Sequence, residues 1–133
     1  MKAKLKPSIK AKWLKALRTP LKEGGYRQCT GHLCVTNKKG VDSFCCLGVL
    51  TNITEGFSME DEPNAGNNSK ASDDFPTYRL LNNVLTKKSL DDGIHEWSDI
   101  EVVYKGESCT LDELNDTKEL SFKQIANLIE KQL

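Results

Sequence analysis

Apolar residues recur at helical spacing at both ends of the chain. Near the N-terminus, Pro7 suits the first turn of a helix that ends before Pro20, and its apolar face comprises Ile9, Trp13, Leu14 and Leu17. Near the C-terminus, Ser121 and Gln124 form a capping-box pattern at the start of a last helix. The apolar face of that helix comprises Phe122, Ile125, Ala126, Ile129 and Leu133. We therefore predict two amphipathic helices whose apolar faces belong to the core.

The densest apolar run is FCCLGVL at residues 44–50. The preceding residues predict short strands and a turn, at 26–30 and 32–36 for the first strands, 37–40 for the turn and 41–44 for the returning strand. The run itself predicts a short helix that extends to about Ile53. Gly48 inside this helix predicts the close approach of another backbone, because glycine otherwise weakens a helix.

The C-terminal half contains shorter patterns of both kinds. Residues 78–85 predict a short strand or a helical turn. The alternating residues 100–104 predict a strand that turns back at 105–107. Thr110 and Glu113 form another capping-box pattern, which predicts a short helix before the last one.

Residues 54–74 are acidic and rich in Asn and Gly, so they can bury little apolar surface. We predict a long loop there that is mobile or ordered only by a partner. The 133 residues otherwise suffice for one domain with its own core. The sequence therefore predicts a single α+β domain over residues 1–133, with an N-terminal helix, a short antiparallel β-hairpin or sheet, and C-terminal helices packed on it.

Composition narrows the classes of function. No window approaches the roughly 18–20 consecutive apolar residues of a membrane span, and the basic N-terminus lacks the apolar stretch of a signal peptide. We therefore expect no membrane association and a protein that stays in the compartment where it is made. Five cysteines are an odd number for a disulfide framework and indicate buried or free thiols.

Charge is divided along the chain. Residues 1–39 contain eleven Lys or Arg and one acid, a net charge of +10, whereas residues 40–133 have a net charge of −10. A basic face suits a phosphate-bearing ligand and an acidic face suits a basic protein groove. The candidate binding residues of the basic face are Lys10, Lys12, Lys15, Arg18 and Arg27. The charges can equally be neutralised within the chain, or between copies in a homo-oligomer.

A thiol at the start of a helix is the sharpest catalytic hypothesis. The positive end of the helix dipole favours a thiolate, so Cys45 or Cys46 would be the nucleophile of a hydrolase or transferase. The candidate bases are His32 and His95, and the candidate orienting carboxylates are Asp42 and Asp99. The apolar neighbours of both cysteines favour the alternative, in which the thiols pack in the core and are inert.

Cys29, His32 and Cys34 lie close together in sequence, and Cys45 and Cys46 begin eleven residues further on. Thiolate and imidazole are ligands that zinc prefers. The spacing differs from that of paired CxxC motifs, and strand alternation would place Cys29 on the face opposite the other two ligands. We therefore predict no metal or other cofactor, and keep zinc at these residues as the alternative.

A combined pattern runs through both ends of the chain. It consists of residues 13–18 (WLKALR), 26–28 (YRQ), 44–50 (FCCLGVL), 114–116 (LND), 120–122 (LSF) and 125–130 (IANLIE). This pattern resembles a family of small proteins of tailed bacteriophages and prophages. The resemblance implies expression in an infected bacterial cytoplasm and a non-structural protein that binds host machinery or defence components. It carries over no catalytic or binding residue.

These observations favour a non-enzymatic phage accessory protein that binds and inhibits a host or anti-phage defence component. Such a protein would act as a protein inhibitor or as a sponge for a nucleotide signal. Two alternatives stay open. One is a cysteine-dependent hydrolase or transferase, and the other is a nucleic-acid-binding protein that uses the basic first helix.

Overall fold

Two amphipathic helices frame the fold, one near each end of the chain. The computed structural model describes residues 3–55, 60–61, 68–71 and 75–133, and it has the predicted α+β architecture. The helices are α1 Pro7–Arg18, α2 Cys46–Thr54, α3 Tyr78–Val84, α4 Lys87–Asp91, α5 Leu111–Asp116 and α6 Phe122–Gln132. The strands are β1 Cys34–Asn37, β2 Asp42–Phe44, β3 Glu60–Asp61, β4 Asn68–Ala71, β5 Glu101–Tyr104 and β6 Glu107–Thr110. Helix α1 packs against both α6 and α2.

Local signals start the terminal helices. Pro7 occupies the first turn of α1, where its missing N–H forfeits no hydrogen bond. The Ser121 hydroxyl accepts a hydrogen bond from the Gln124 amide at 3.2 Å, and the Gln124 side chain accepts one from the Ser121 amide at 3.0 Å. This reciprocal pair confirms the predicted capping box at the start of α6.

The predicted β-hairpin is formed by β1 and β2. The strands are antiparallel, with Val35 opposite Ser43, and Gly40 has a φ of 79° in the turn between them. Glycine suits this position because side chains disfavour a positive φ. The hairpin begins at Cys34, two residues later than the sequence predicts.

The strand predicted at residues 26–30 is absent. This segment contacts β2 through a single parallel bridge between Gln28 and Phe44. Beyond the bridge, Gly31 has a φ of 83°, which turns the chain away before a ladder can extend. The prediction of a strand is wrong because β-forming composition does not by itself supply a partner strand.

Part of the loop predicted at residues 54–74 is β-structure. Strand β4 pairs antiparallel with β1, and β3 pairs with β4, which gives a sheet of order β2-β1-β4-β3. The prediction of a loop is therefore wrong at Glu60–Asp61 and Asn68–Ala71. The second edge of β1 offers backbone hydrogen bonds to this polar segment, which the sequence does not indicate. The mobility predicted for residues 56–59, 62–67 and 72–74 lies outside the described residues.

The predicted strand near residue 100 forms a two-stranded sheet with the strand after it. Strands β5 and β6 are antiparallel and are joined at Lys105 and Gly106, which have φ values of 50° and 82°. A side chain from α6 occupies the outer edge of β5 at Val103. The Val103 amide donates a hydrogen bond to the Gln132 side-chain oxygen at 2.7 Å, and the Gln132 amide nitrogen donates one to the Val103 carbonyl at 2.9 Å.

The structure decides two further predictions, for residues 78–85 and for the helix after Thr110. Residues 78–84 form the helical turn rather than the strand. Helix α5 begins after Thr110 as predicted, but the capping box there is incomplete. The Thr110 hydroxyl donates to the Glu113 carboxylate at 2.9 Å, and it accepts no hydrogen bond from a backbone amide of the first turn.

The apolar run forms the centre of the core. Residues 46–51 are all buried within α2. A Cβ atom at Gly48 would collide with the Leu33 carbonyl, which confirms the predicted close approach of another backbone. The Trp13 indole is fully buried and donates a hydrogen bond to the Cys46 carbonyl at 3.0 Å, so α1 is tied to the same place.

Residues next to the N-terminus join the two halves of the molecule. The Leu5 amide donates a hydrogen bond to the Leu133 carbonyl at 3.0 Å, and the Lys6 amide donates one to the Val84 carbonyl at 2.8 Å. Within the described residues, no helix has the length and apolar character needed to cross a membrane.

Candidate functional site

The start of α2 places two adjacent thiols at a helix N-terminus. Cys45 is the N-cap residue, and its sulfur accepts a hydrogen bond from the Gly48 amide at 3.3 Å. Cys46 is the first helical residue and its thiol donates to the Leu111 carbonyl at 3.5 Å. The exposed fraction is 5% for Cys45 and 0% for Cys46, so neither sulfur is open to a substrate.

Burial determines the chemistry of these thiols. It raises the pKa of Cys45 to about 11, despite the opposing hydrogen bond from the Gly48 amide. Burial also raises the pKa of Cys46 well above its usual value, and the neighbouring Cys45 adds to the effect. Both groups are therefore neutral thiols at physiological pH, whereas a nucleophilic cysteine needs an accessible thiolate. The geometry favours the core-packing interpretation over catalysis.

The candidate orienting carboxylates, Asp42 and Asp99, are held by local structure. The Asp99 carboxylate accepts hydrogen bonds from the His95 and Glu96 amides, both at 3.1 Å, and so caps a short 3-10 turn. The Asp42 carboxylate accepts a hydrogen bond from the Thr36 hydroxyl at 2.6 Å. Both carboxylates thus have a structural role that needs no catalysis.

The zinc alternative lacks a ligand set in the part of the chain that the structure describes. No three His, Cys, Asp or Glu side chains there form a group able to bind a metal ion. The Cys29 thiol instead donates to the His32 carbonyl at 3.6 Å, and burial raises the pKa of both Cys29 and Cys34 to about 12. Zinc deprotonates the thiols that it binds, so the lack of a ligand group among the described residues, rather than the pKa of these thiols, counts against the site.

Asn115 is a buried polar residue that the sequence patterns do not reveal. Its exposed fraction is 1%, and its side-chain oxygen accepts from the Cys46 amide at 3.2 Å and from the Gln28 side chain at 2.9 Å. Its side-chain nitrogen donates to the Cys29 carbonyl at 2.8 Å and to the Asp116 carboxylate at 2.7 Å. The amide therefore ties three distant segments together at the start of α2.

The five candidate binding cations divide into two groups. Lys10 and Arg18 contact the last helix. The Lys10 ammonium donates to the Glu130 carbonyl at 3.0 Å, and the Arg18 guanidinium forms an ion pair with the Glu130 carboxylate at 3.0 Å and bonds Asn127 at 2.9 Å. Part of the charge division is thus neutralised inside the chain.

The other three cations are exposed. Lys12 and Lys15 are one helical turn apart on α1, so their side chains are neighbours on the surface. Arg27 lies on the segment that leads into the hairpin. None of these three side chains has a hydrogen-bond or ion-pair partner among the described residues. We call Lys12 and Lys15 the free basic face.

A cavity of about 280 Å³ lies beside the free basic face, between α1, α2 and α3. Its lining residues are Ile9, Lys12, Ile53, Thr54, Glu55, Leu80 and Asn83. Lys12 is the one candidate binding residue that the structure places at this cavity. The sequence offers no signal for it, because the lining comes from helices that are distant along the chain.

Residues 5–133 match the family described as Domain of unknown function (DUF8296). The chain belongs to the DUF8296 family. No curated protein and no solved structure matches it. The match of this DUF8296 chain includes every element from α1 to α6, and with them the Asn115 contacts, the free basic face and the cavity.

Proposed function

We propose that the chain is a non-enzymatic phage accessory protein that binds and inhibits a host or anti-phage defence component. One observation carries the choice of surface. Lys10 and Arg18 are tied to α6, whereas Lys12 and Lys15 are exposed, adjacent and without a partner among the described residues. Unpaired cations that share a helix face raise the association rate with an acidic surface.

The exposed position of these lysines favours a protein partner over an enclosed nucleotide. A protein inhibitor needs a complementary exposed patch, whereas a nucleotide sponge needs a pocket that covers most of its ligand. Lys12 and Lys15 are both exposed, and the cavity beside Lys12, at about 280 Å³, is small for a site that must enclose a nucleotide. We therefore propose that they contact an acidic groove or surface on the target, and that Arg27 adds to the same attraction.

Cross-linking in infected bacterial cells tests the proposed surface. The tagged wild-type protein would be cross-linked to its target, purified and analysed by mass spectrometry. We expect the double variant Lys12→Glu/Lys15→Glu to capture at least tenfold less of that target. A matched control is Lys87→Glu/Lys123→Glu, which makes the same charge change at exposed lysines of α4 and α6 and should leave capture intact.

Phage plating supplies the functional measurement. Bacterial strains that each carry one defence system would express the wild-type protein, the double variant or the control. In the strain whose defence is inhibited, wild type and control should raise plating of a blocked phage at least tenfold over the double variant. Equal capture and equal plating by all three proteins would show that the free basic face does not bind the target.

A further inference from the structure

The cavity between α1, α2 and α3 has an apolar floor and a polar rim. Leu80 at its base is 1% exposed, and Ile9 and Ile53 are half-buried apolar walls. Lys12 and Asn83 on the rim are both exposed. A site of this construction accepts the apolar part of a ligand first and leaves its polar group at the opening.

On each of two helices, the cavity is lined by an apolar residue and by a polar residue three positions later. On α1, Ile9 is followed three residues later by Lys12, and on α3, Leu80 is followed three residues later by Asn83. This spacing places each polar residue beside the apolar residue of its own helix. The Lys12 and Asn83 side chains have no hydrogen-bond partner among the described residues, so both have donors available for a ligand.

The acidic residue in the lining is already engaged. The Glu55 carboxylate accepts a hydrogen bond from the Thr77 hydroxyl at 3.1 Å and forms an ion pair with the Arg79 guanidinium at 3.2 Å. Its charge is thereby offset by Arg79. The uncompensated charge at the cavity is the Lys12 ammonium, which attracts an anion.

We propose that this cavity binds a small amphipathic anion, namely a carboxylate or a phosphate monoester attached to a compact apolar group. The anionic group would contact Lys12 and Asn83, and the apolar group would pack on Leu80, Ile9 and Ile53. The volume of about 280 Å³ is roughly twice that of a protein cavity of about 150 Å³ that binds benzene, which favours a small ligand. This inference does not rest on the proposed host target.

Titrations followed by two-dimensional ¹H–¹⁵N NMR test this site on the whole chain. The probes are hexanoate for the carboxylate, phenyl phosphate for the phosphate monoester, and hexan-1-ol, phenol and hexylamine as neutral and cationic counterparts. We expect at least one anion to shift the backbone resonances of Ile9, Lys12, Ile53 and Asn83. Its affinity should exceed that of its neutral counterpart at least tenfold, and the stronger anion identifies the polar group.

Three exposed variants locate the contact. Lys12→Gln and Asn83→Leu should each weaken binding of the anion at least fivefold, whereas Lys15→Gln, one turn away, should leave it unchanged. Equal binding of anions and alcohols, tighter binding of hexylamine, or shifts confined to other residues would overturn the proposal. So would the absence of any binding.

The two proposals fail separately. Asn83→Leu retains both Lys12 and Lys15, so it should weaken anion binding at least fivefold without reducing capture of the host target. Loss of capture in Lys12→Glu/Lys15→Glu, together with no anion binding by the wild type, would support the target surface and overturn the cavity site.

Discussion

Cys45 shows how two effects on one residue compete. Its N-cap position exposes the sulfur to the amide of Gly48, which lowers the pKa of the thiol, but burial raises that pKa by more. Desolvation dominates because the charged form of a buried group loses its hydration, whereas one hydrogen bond restores only part of it. The result is a protonated thiol that acts as a hydrogen-bond acceptor for the helix.

The raised pKa predicts a loss of stability at high pH that depends on Cys45. The folded-state pKa of about 11 lies above the usual value of 9.0, so the folded protein binds this proton more tightly than the unfolded chain does. The corresponding stability is fully present below pH 9 and is lost as the pH rises towards 11. Between these limits, the free energy of unfolding should fall on the order of 2 kcal/mol more for wild type than for Cys45→Ser, which keeps an oxygen acceptor at the N-cap. Urea denaturation at several pH values measures this difference in the free energy of unfolding. If the free energies of the two proteins changed in parallel with pH, the raised pKa would not belong to Cys45.

Substitution of Gly48 should lower the stability of the fold by more than ionisation of Cys45 does, and at any pH. Gly48→Ala would drive a Cβ atom into the Leu33 carbonyl, and backbone on both sides leaves no flexible side chain to move away. We expect a destabilisation of about 3 kcal/mol or more in urea denaturation. Gly106→Ala is the matched control, because its Cβ would meet nothing within 4 Å and only its φ of 82° is unfavourable. That variant should lose only about 1–2 kcal/mol. Similar losses in the two proteins would argue against the backbone collision.

At the scale of elements, Asn115 connects α5 to the start of α2 and to the segment before the hairpin. Removing its side chain leaves the Cys46 amide and the Cys29 carbonyl without these buried partners. A buried group that loses its hydrogen bond costs about 1–3 kcal/mol. We therefore expect Asn115→Ala to be destabilised by roughly 2–6 kcal/mol, because two such groups are affected.

Hydrogen exchange distinguishes this mechanism from a general loss of packing. The Cys46 amide should exchange faster in Asn115→Ala even after correction for the change in global stability. Asn127→Ala is the control, since its exposed side chain bonds only Arg18 among the described residues and should leave that amide protected. Unchanged protection of Cys46 in Asn115→Ala would refute the role assigned to this side chain.

The elements also show what the sequence can predict. The two terminal helices, the short helix at the apolar run and the β5–β6 turn have local signals, because capping, periodicity and turn residues act within a few positions. Strands β3 and β4 have none, since the polar residues of β4 pair with the edge of β1 and those of β3 pair with β4. The predicted strand at 26–30 is wrong for the converse reason, because it has strand composition but only one bridge.

The candidate sites depend on tertiary packing more than the helices and strands do. The sequence predicts a basic α1, but the engagement of Lys10 and Arg18 follows from the packing of α1 on α6. The burial of Cys45 and Cys46 is favoured by their apolar neighbours in sequence. The cavity and the contacts of Asn115 each combine residues that are distant along the chain, and single-sequence periodicity contains no information about such encounters.

At the scale of the whole molecule, the residues preceding α1 join elements that are far apart in sequence. Leu5 is 4% exposed, and its amide bonds the Leu133 carbonyl while the Lys6 amide bonds the Val84 carbonyl. Opening this segment would expose part of the core next to α3 and α6. We therefore expect the described helices to unfold together rather than one at a time.

Leu5→Ala tests this coupling. We predict a destabilisation of about 2–3 kcal/mol from the lost apolar contacts. Leu21→Ala removes the same atoms from a side chain that is 49% exposed and should change stability by only about 0.5 kcal/mol. Fluorescence and circular dichroism should report coincident transitions in both variants. A separate early transition in Leu5→Ala would contradict the coupling.

The hydrogen bonds from Gln132 to Val103 have a consequence for how the protein behaves among its own copies. An open strand edge can pair with a strand of another chain. Val103 is 55% exposed, and its apolar side chain would favour such pairing at the edge of β5. The primary amide of Gln132 uses one donor and its oxygen acceptor in the arrangement of a peptide group, and so occupies that edge at Val103. We therefore expect these two hydrogen bonds to disfavour fibrous self-association through β5 when the protein accumulates during expression.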